Sequence, residues 1–417
     1  MSLSIVVAVL PARGHVSPTL AVVEGLLEDG DRVHVLTGRK YAERFTALGA
    51  DVTVLDPAGD FDDADLDGSF PGRQGLSGLA LARHDLTEAF VRPMPARWDD
   101  LRDVMDLAGP DAVLLDPLFL AGIPLLLTRG PARRPRVLVL GFLPLTLPPL
   151  APPGFGWSLR EPATQLAMKF ALGPVNRVAR HLTEQLTGQL LPVWFTEWAS
   201  LSDGILQLTC SGFEYPRPTP PCPIHFVGPP STSTTTQFPL PEWWAHVEQA
   251  RSVIHVTQGT VANADLDQVI LPTIQALADT EHLVVVTTGG ASLPGPVPAN
   301  VRVADLLPYD DLLRHTSVMV TNGGYGGVNF ALRHGVPLVV AGASEDKRAI
   351  AERIQWSGAG IGIPKSSVKP ARIARAVHRV STEPRYRGAA RKLSAQIKSL
   401  DTRRTIRQAI EATVSTP

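Results

Sequence analysis

The chain has 417 residues, 44% of them hydrophobic and 19% charged, with a net charge of −1 and a pI near 6.8. That length accommodates roughly two to three domains with full cores, and the balanced charge supplies no attraction for nucleic acid or an anionic membrane. Two cysteines, Cys210 and Cys222, form no disulfide framework and no metal-ligand cluster surrounds them, so a reducing cytoplasm is expected.

The first apolar run, residues 2–10, lacks a preceding basic stretch and is too short to span a bilayer; it reads as a strand. Short β-rich runs follow at 33–36, 52–55, 112–115, 137–140 and 205–208, separated by amphipathic segments at 19–28, 41–48 and 76–92. The apolar stretch 118–127 is followed by Arg129, Arg133, Arg134 and Arg136 and is short, which fits a buried helix and not a membrane span. Such alternation predicts a parallel sheet covered by helices on both faces. A Pro-rich stretch at 215–223 and a Ser/Thr-rich one at 229–236 then mark a linker without regular structure.

The rhythm restarts after it. Strands are predicted at 253–256, 283–287, 318–320, 338–340 and 360–363, and helices at 266–278, 327–334 and 345–356. Residues 385–413 form a basic amphipathic stretch that either packs across a domain surface or is a solvated terminal helix. The organisation predicted is an N-terminal Rossmann-like domain at 1–214, a linker at 215–245, a second Rossmann-like domain at 246–384 and a helical segment at 385–417. In doubly wound sheets ligands bind at the carboxyl ends of the strands, so the expected site is a cleft between the two halves.

Residues Thr321-Asn322-Gly323-Gly324-Tyr325-Gly326-Gly327-Val328 join a predicted strand to a predicted helix. A glycine-rich turn there presents backbone N–H groups and the positive end of a helix dipole, with no side chains to bar a bulky anion. A phosphate or diphosphate is the natural guest; a tight turn with close helix–strand packing is the plainer reading, and four glycines in five positions exceed its needs.

His15, within Gly14-His15-Val16-Ser17-Pro18, follows the first strand at its carboxyl end. An imidazole titrates near neutrality and suits taking a proton from a hydroxyl, although a capping or core histidine would occupy the same position. Asp116 also ends a strand. It is suited to orienting an imidazole, or to capping the next helix, and the two roles use different lone pairs. Thr260, in Gln258-Gly259-Thr260, is a further donor for a phosphate oxygen. The acidic pairs Asp62-Asp63, Asp99-Asp100 and Asp310-Asp311 read as surface or capping carboxylates.

Taken in order, these motifs together with Glu345-Asp346-Lys347 resemble the GT-B glycosyltransferases, specifically the macrolide-glycosyltransferase and UDP-glycosyltransferase family, over nearly the whole chain. The resemblance implies an α/β GT-B fold, two Rossmann-like parallel-sheet domains facing a central cleft. It implies inverting transfer of a hexosyl or deoxyhexosyl group from a UDP- or dTDP-sugar to a hydroxyl of a hydrophobic polyketide, macrolide or aromatic molecule. His15 would be the base and Asp116 its orienter. The donor would be held by Gly14, Gly259, Thr260, Asn322, Gly323, Gly324, Gly326, Gly327 and Val328. Leu306 and Leu307 would lie at the base, and Glu345, Asp346 and Lys347 at the sugar. No metal or other cofactor is expected, nor nucleic-acid binding or membrane insertion, and the chain would be a monomer or homodimer.

Three positions depart from the family. Asn322 stands where a histidine usually donates to the diphosphate, Lys347 where a glutamine is common, and Phe330 where a glutamate often holds the ribose hydroxyls. Phe330 cannot accept a hydrogen bond, which favours a donor lacking the 2′-hydroxyl, such as a dTDP-deoxysugar. Aromatics within 61–92 and 144–198 (among them Trp157), together with Phe142 and His84, are candidates for the acceptor side or for the core. A sugar-nucleotide epimerase or a non-catalytic sugar-nucleotide-binding protein shares the architecture. A Rossmann oxidoreductase is disfavoured, because Pro11-Ala12-Arg13-Gly14-His15 is no Gly-x-Gly-x-x-Gly turn.

Overall fold

The computed structural model describes residues 2–128, 130, 133–152, 157–230, 239–259, 265–342, 346–365 and 367–415, with only the backbone at 157–160. The chain forms two compact units. One comprises Met1–Leu208, Pro216–Thr232 and Asp401–Pro417, the other Thr209–Tyr215 and Ser233–Leu400.

The first unit contains β1 (Ser4–Ala8), β2 (Arg32–Thr37), β3 (Asp51–Val54), β4 (Ala112–Leu115), β5 (Arg136–Gly141), β6 (Gly204–Gln207) and β7 (Ile224–Phe226). They form one sheet in the order β3-β2-β1-β4-β5-β6-β7, parallel throughout. The central strands read as unbroken apolar runs because both faces are covered. Ile5 and Val7 pack with Val22 and Leu26 of the helix Arg13–Glu28. Val6 and Ala8 pack on the other face with Trp98, Leu101 and Met105 of the helix Met94–Ala108. Each such fully buried aliphatic side chain contributes about 1.5–3 kcal/mol.

The strand order reverses between β1 and β4, which pair with Ala8 opposite Leu115. Chains leaving the two strands therefore turn in opposite directions and open a crevice at their carboxyl ends, where His15 and Asp116 follow.

In the second unit β8 (Val253–Thr257), β9 (Leu283–Thr287), β10 (Val301–Ala304), β11 (Thr316–Thr321), β12 (Leu338–Ala341) and β13 (Gly360–Ile363) form a parallel sheet ordered β10-β9-β8-β11-β12-β13. The reversal here falls between β8 and β11, so Gln258-Gly259 and Asn322-Gly323 emerge side by side.

Several elements were not apparent from the sequence, among them Val301–Ala304, Met94–Ala108 and Pro370–Thr382, and two more bear on the first unit. Ile224–Phe226, inside the stretch expected to be irregular linker, is the edge strand β7. Prolines flank this run without interrupting it, and an edge strand needs only one neighbour. The long helix Trp157–Thr187 carries Pro162 and Pro174 within it and was not apparent from its periodicity.

The C-terminal stretch is two helices, each packed within one unit. In Pro384–Ser399, Ser394 Oγ donates to the carbonyl of Arg333 in the second unit. In Thr402–Val414, Arg403 pairs with Glu28 and Asp29 in the first, and Arg407 pairs with Asp31. The segment Thr209–Tyr215 joins the second unit through a fully buried ion pair: Arg353 Nη2 lies 2.9 Å from Glu214 Oε2, and its guanidinium stacks 4.5 Å from the Tyr215 ring centroid.

Candidate active site

The turn Val9–Ala12 hands β1 to the helix Arg13–Glu28. Its first residue offers no side-chain cap; instead Asp63 Oδ2 accepts from the Arg13 N–H at 2.7 Å. A carboxylate beside the positive end of the helix dipole is stabilising. Asp63, of the pair Asp62-Asp63 read from sequence as surface or capping carboxylates, therefore caps the helix that carries His15. Lys40 Nζ bridges the two carboxylates at 2.6 Å each.

His15 Nδ1 lies 2.7 Å from Asp116 Oδ2. The same Oδ2 accepts from the Leu10 N–H at 3.1 Å, and Oδ1 accepts from the Leu118 N–H at 2.8 Å. Asp116 is fully buried, so these three donors fix the carboxylate in one orientation. An ionised carboxylate only accepts, so His15 carries its proton on Nδ1 and the basic lone pair is on Nε2. Phe142 meets the imidazole edge-on, 5.0 Å between ring centroids, and holds the ring plane. Thr19 Oγ1 donates to the His15 carbonyl at 2.8 Å. The imidazole remains partly exposed, at 13%, while its partner is at 0%. Gly14 is exposed, and a Cβ there would meet nothing within 4 Å.

In the second unit the glycines divide by physical role. Gly323 adopts φ +100°, and a Cβ on it would sit 2.8 Å from Val340 Cγ1, so only glycine fits there. Gly324 is the N-cap of the helix Tyr325–Arg333, and Gly326, in its first turn, is exposed. A Cβ on either would meet nothing within 4 Å. Internal packing therefore does not require glycine at these two positions. What they provide is open access to the first-turn N–H groups, which by helix geometry lack intrahelical acceptors. Gly327 is intermediate, with ordinary contacts to Met319 and Tyr309.

Asn322 is turned inward. Its Nδ2 donates to the Gln258 carbonyl at 2.8 Å and the residue is 2% exposed. This bond ties the β8 turn to the β11 turn. Gln258 anchors the β8 side, its Oε1 accepting from the N–H groups of Val269 and Ile270, both at 2.9 Å. Gly259 has φ +75° and its N–H donates to Thr257 Oγ1 at 3.1 Å.

Asp346 precedes the helix Lys347–Ser357 and is half-buried, whereas Lys347 is 8% exposed. A Cβ on Gly342 would lie 3.0 Å from Lys347 Cβ and collide with the Asn322 carbonyl, so the start of this helix sits against the glycine turn.

The expected residues separate accordingly. Val328 and Leu307 are core: Val328 packs with Leu332 and Ile350, and Leu307 with Trp244 and Leu312. Both side chains are buried. Leu306 is half-buried. Phe330 packs against Tyr309, 6.1 Å between ring centroids. Burial holds the Tyr309 hydroxyl up to about 12. His84 lies against the turn at Gly72 and Asp85, its Nδ1 3.4 Å from Asp85 Oδ1. Thr260, Glu345 and the Trp157 side chain lie outside the described residues.

Among the other aromatics Phe195 and Trp198 are core, Phe170 is 82% exposed, and Trp194 lines a cavity of about 620 Å³ with Asn176, Arg180 and Glu197. Among the described residues no group of three or more His, Cys, Asp or Glu side chains is placed to hold a metal ion, and no helix is long and apolar enough to cross a membrane.

Residues 270–412 match the family described as "Erythromycin biosynthesis protein CIII-like, C-terminal domain". The chain is 34% identical to 4'-demethylrebeccamycin synthase of Lentzea aerocolonigenes, over 96% of this chain and 97% of that protein. It is 32% identical to UDP-glucosyltransferase B1 of Starmerella bombicola, over 95% and 96% respectively. The crystal structure of CalG4, the calicheamicin glycosyltransferase, superposes with a TM-score of 0.74 at 22% identity and covers 100% of both chains.

Proposed function

The chain belongs to the GT-B glycosyltransferases of the macrolide-glycosyltransferase and UDP-glycosyltransferase family, and from that premise we propose that it transfers a hexosyl or deoxyhexosyl group from a UDP- or dTDP-sugar to a hydroxyl of a hydrophobic natural product, with inversion at the anomeric carbon. The names of the relatives, a demethylrebeccamycin synthase and a UDP-glucosyltransferase, support this choice of acceptor and donor classes.

The observation that carries the mechanism is the 2.7 Å contact between His15 Nδ1 and Asp116 Oδ2. It directs the basic Nε2 lone pair to an acceptor hydroxyl. The proton passes to Nε2 as the acceptor oxygen bonds to the anomeric carbon from the face opposite the diphosphate. The bond between that carbon and the diphosphate oxygen breaks, its electron pair leaving with the nucleoside diphosphate. Asp116 stabilises the imidazolium formed.

The leaving diphosphate gains charge. The first turn of Tyr325–Arg333, opened by Gly324 and Gly326, offers N–H groups and the helix dipole to it. Lys347, at the head of the neighbouring helix, supplies a cation. Together these let the reaction run without a metal ion. With Phe330 packed on Tyr309, this position supplies no acceptor for a ribose 2′-hydroxyl, which supports a dTDP-sugar over a UDP-sugar.

Incubation with a panel of UDP- and dTDP-sugars and hydrophobic acceptors, with NMR of the product anomeric centre, tests the reading. A glycoside of inverted configuration is expected. Retained configuration, or nucleotide binding without product from the whole panel, would replace it with another chemistry or a binding role.

A further inference from the structure

Arg97 lies on the helix Met94–Ala108 and is 0% exposed. Its Nε donates to the Gly59 carbonyl at 2.8 Å, and neither Nη1 nor Nη2 has a hydrogen-bond partner among the described residues. A buried guanidinium with two unsatisfied nitrogens is destabilising, and a methionine of similar volume would fill the space without that penalty.

The position of Arg97 connects it to the dyad. Asp60 follows Gly59, and its side chain presses on Gly38, where a Cβ would collide with both Asp60 and Pro11. Pro11 belongs to the turn that carries His15. On the next residue of the helix, Trp98 shares a core cluster with Leu10, Leu115 and Phe119, which flank that turn and Asp116. The carboxylates that sustain the Arg97 charge against burial are Asp116 first, then Asp60 and Asp100; burial still lowers the guanidinium to about 10.

Resting on the reading of His15 as base, we propose that Arg97 is a positioning residue whose buried charge balances the Asp116 carboxylate and thereby sets the proton affinity of His15. Without Arg97, only the Leu10 and Leu118 N–H groups offset the carboxylate, and it favours the protonated form of the imidazole. Less of the base is then neutral at pH 7. Of the other charged groups around the turn, Asp62 and Asp63 are paired with Lys40, Asp63 also accepts from the Arg13 N–H, Asp60 accepts from the N–H groups of Arg39 and Phe61, and Asp100 accepts from the Asp56 N–H.

The test is the titration of His15, followed by NMR in histidine-labelled protein and identified by loss of its signal in His15→Asn. Arg97→Met and Arg97→Gln should raise the His15 midpoint by about one pH unit and move the acidic limb of kcat/KM upward by the same amount. Arg97→Lys should restore the wild-type midpoint. In an Asp116→Asn background, Arg97→Met should no longer shift it. A folded Arg97→Met or Arg97→Gln protein with an unmoved His15 midpoint would overturn the proposal. So would an equal shift in the Asp116→Asn background, or an Arg97→Lys protein that titrates like Arg97→Gln. The failure of the catalytic reading has a different signature: His15→Ala would keep full activity whatever the titration showed.

Discussion

The Asn322 side chain donates to the Gln258 carbonyl at 2.8 Å and so joins the two turns that flank the strand-order reversal of the second sheet. It acts as a clasp between β8 and β11. In the proposed function the diphosphate then falls to the helix N-terminus, with Lys347 as the nearby cation.

Replacing that clasp should therefore affect stability more than donor binding. Asn322→Ala leaves the buried Gln258 carbonyl without this donor and should cost about 1–2 kcal/mol in chemical denaturation. Nucleoside diphosphate affinity, measured by calorimetry, should change less than threefold at most. A tenfold loss of affinity in a stable Asn322→Ala protein would show that the amide contacts the donor.

The glycines of the turn should separate in the same two assays. Gly323→Ala must accommodate φ +100° and a Cβ 2.8 Å from Val340 Cγ1, and should destabilise the second unit by about 1–3 kcal/mol. Gly326→Ala has open space around it, so it should melt near wild type while binding nucleoside diphosphate more weakly. Equal melting losses for both, with affinity intact for Gly326→Ala, would argue against an anion site at this helix.

The ion pair of Glu214 with Arg353 is buried, and Arg353 also stacks on Tyr215. Removing one partner strands a charge, so Glu214→Ala should cost about 3–5 kcal/mol. Denaturant melts would measure it, and a loss below 1 kcal/mol would mean that water or another group replaces the carboxylate.

Stability should also respond to acid through His255. This residue is fully buried, its Nε2 3.1 Å from Thr287 Oγ1, and burial holds its imidazole down to about 3. An unfolded chain binds that proton near pH 6.5, so the contribution is complete above 6.5 and is lost as pH falls towards 3, by about 1.4 kcal/mol per unit. Between pH 7 and pH 5, wild type should lose about 2 kcal/mol more than His255→Gln, which keeps a donor for Thr287. Parallel losses in the two proteins would place the acid sensitivity elsewhere, for example at His34, His225 or His282, each also lowered by burial.

The sheets were legible because their central strands are apolar on both faces and end in glycine or polar turns. What escaped lay at the edges. Ile224–Phe226 is three residues long and framed by prolines, and in Val301–Ala304 three of four residues are half-buried, so neither carries a full apolar run. His15 and Asp116 could be paired from sequence because each follows a strand of the same alternating pattern, and the adjacency of β1 and β4 brings them together.

Residues whose role depends on tertiary burial gave no comparable signal. Arg97 stands in Pro95-Ala96-Arg97-Trp98-Asp99-Asp100, where an arginine reads as part of a solvated helix face. The inward rotation of Asn322 depends on a carbonyl 64 residues away. Phe142 follows β5 directly, a position that gives no indication of its edge-on contact with the His15 ring.

The central claim is that His15 Nε2 takes the acceptor proton. Single-turnover transfer by His15→Ala, with a donor and acceptor that wild type uses, tests it most directly. Loss of the base should slow the chemical step by about two to four orders of magnitude, while nucleoside diphosphate affinity and the melting profile stay near wild type. A His15→Ala protein that transfers sugar within about threefold of the wild-type rate would contradict that account.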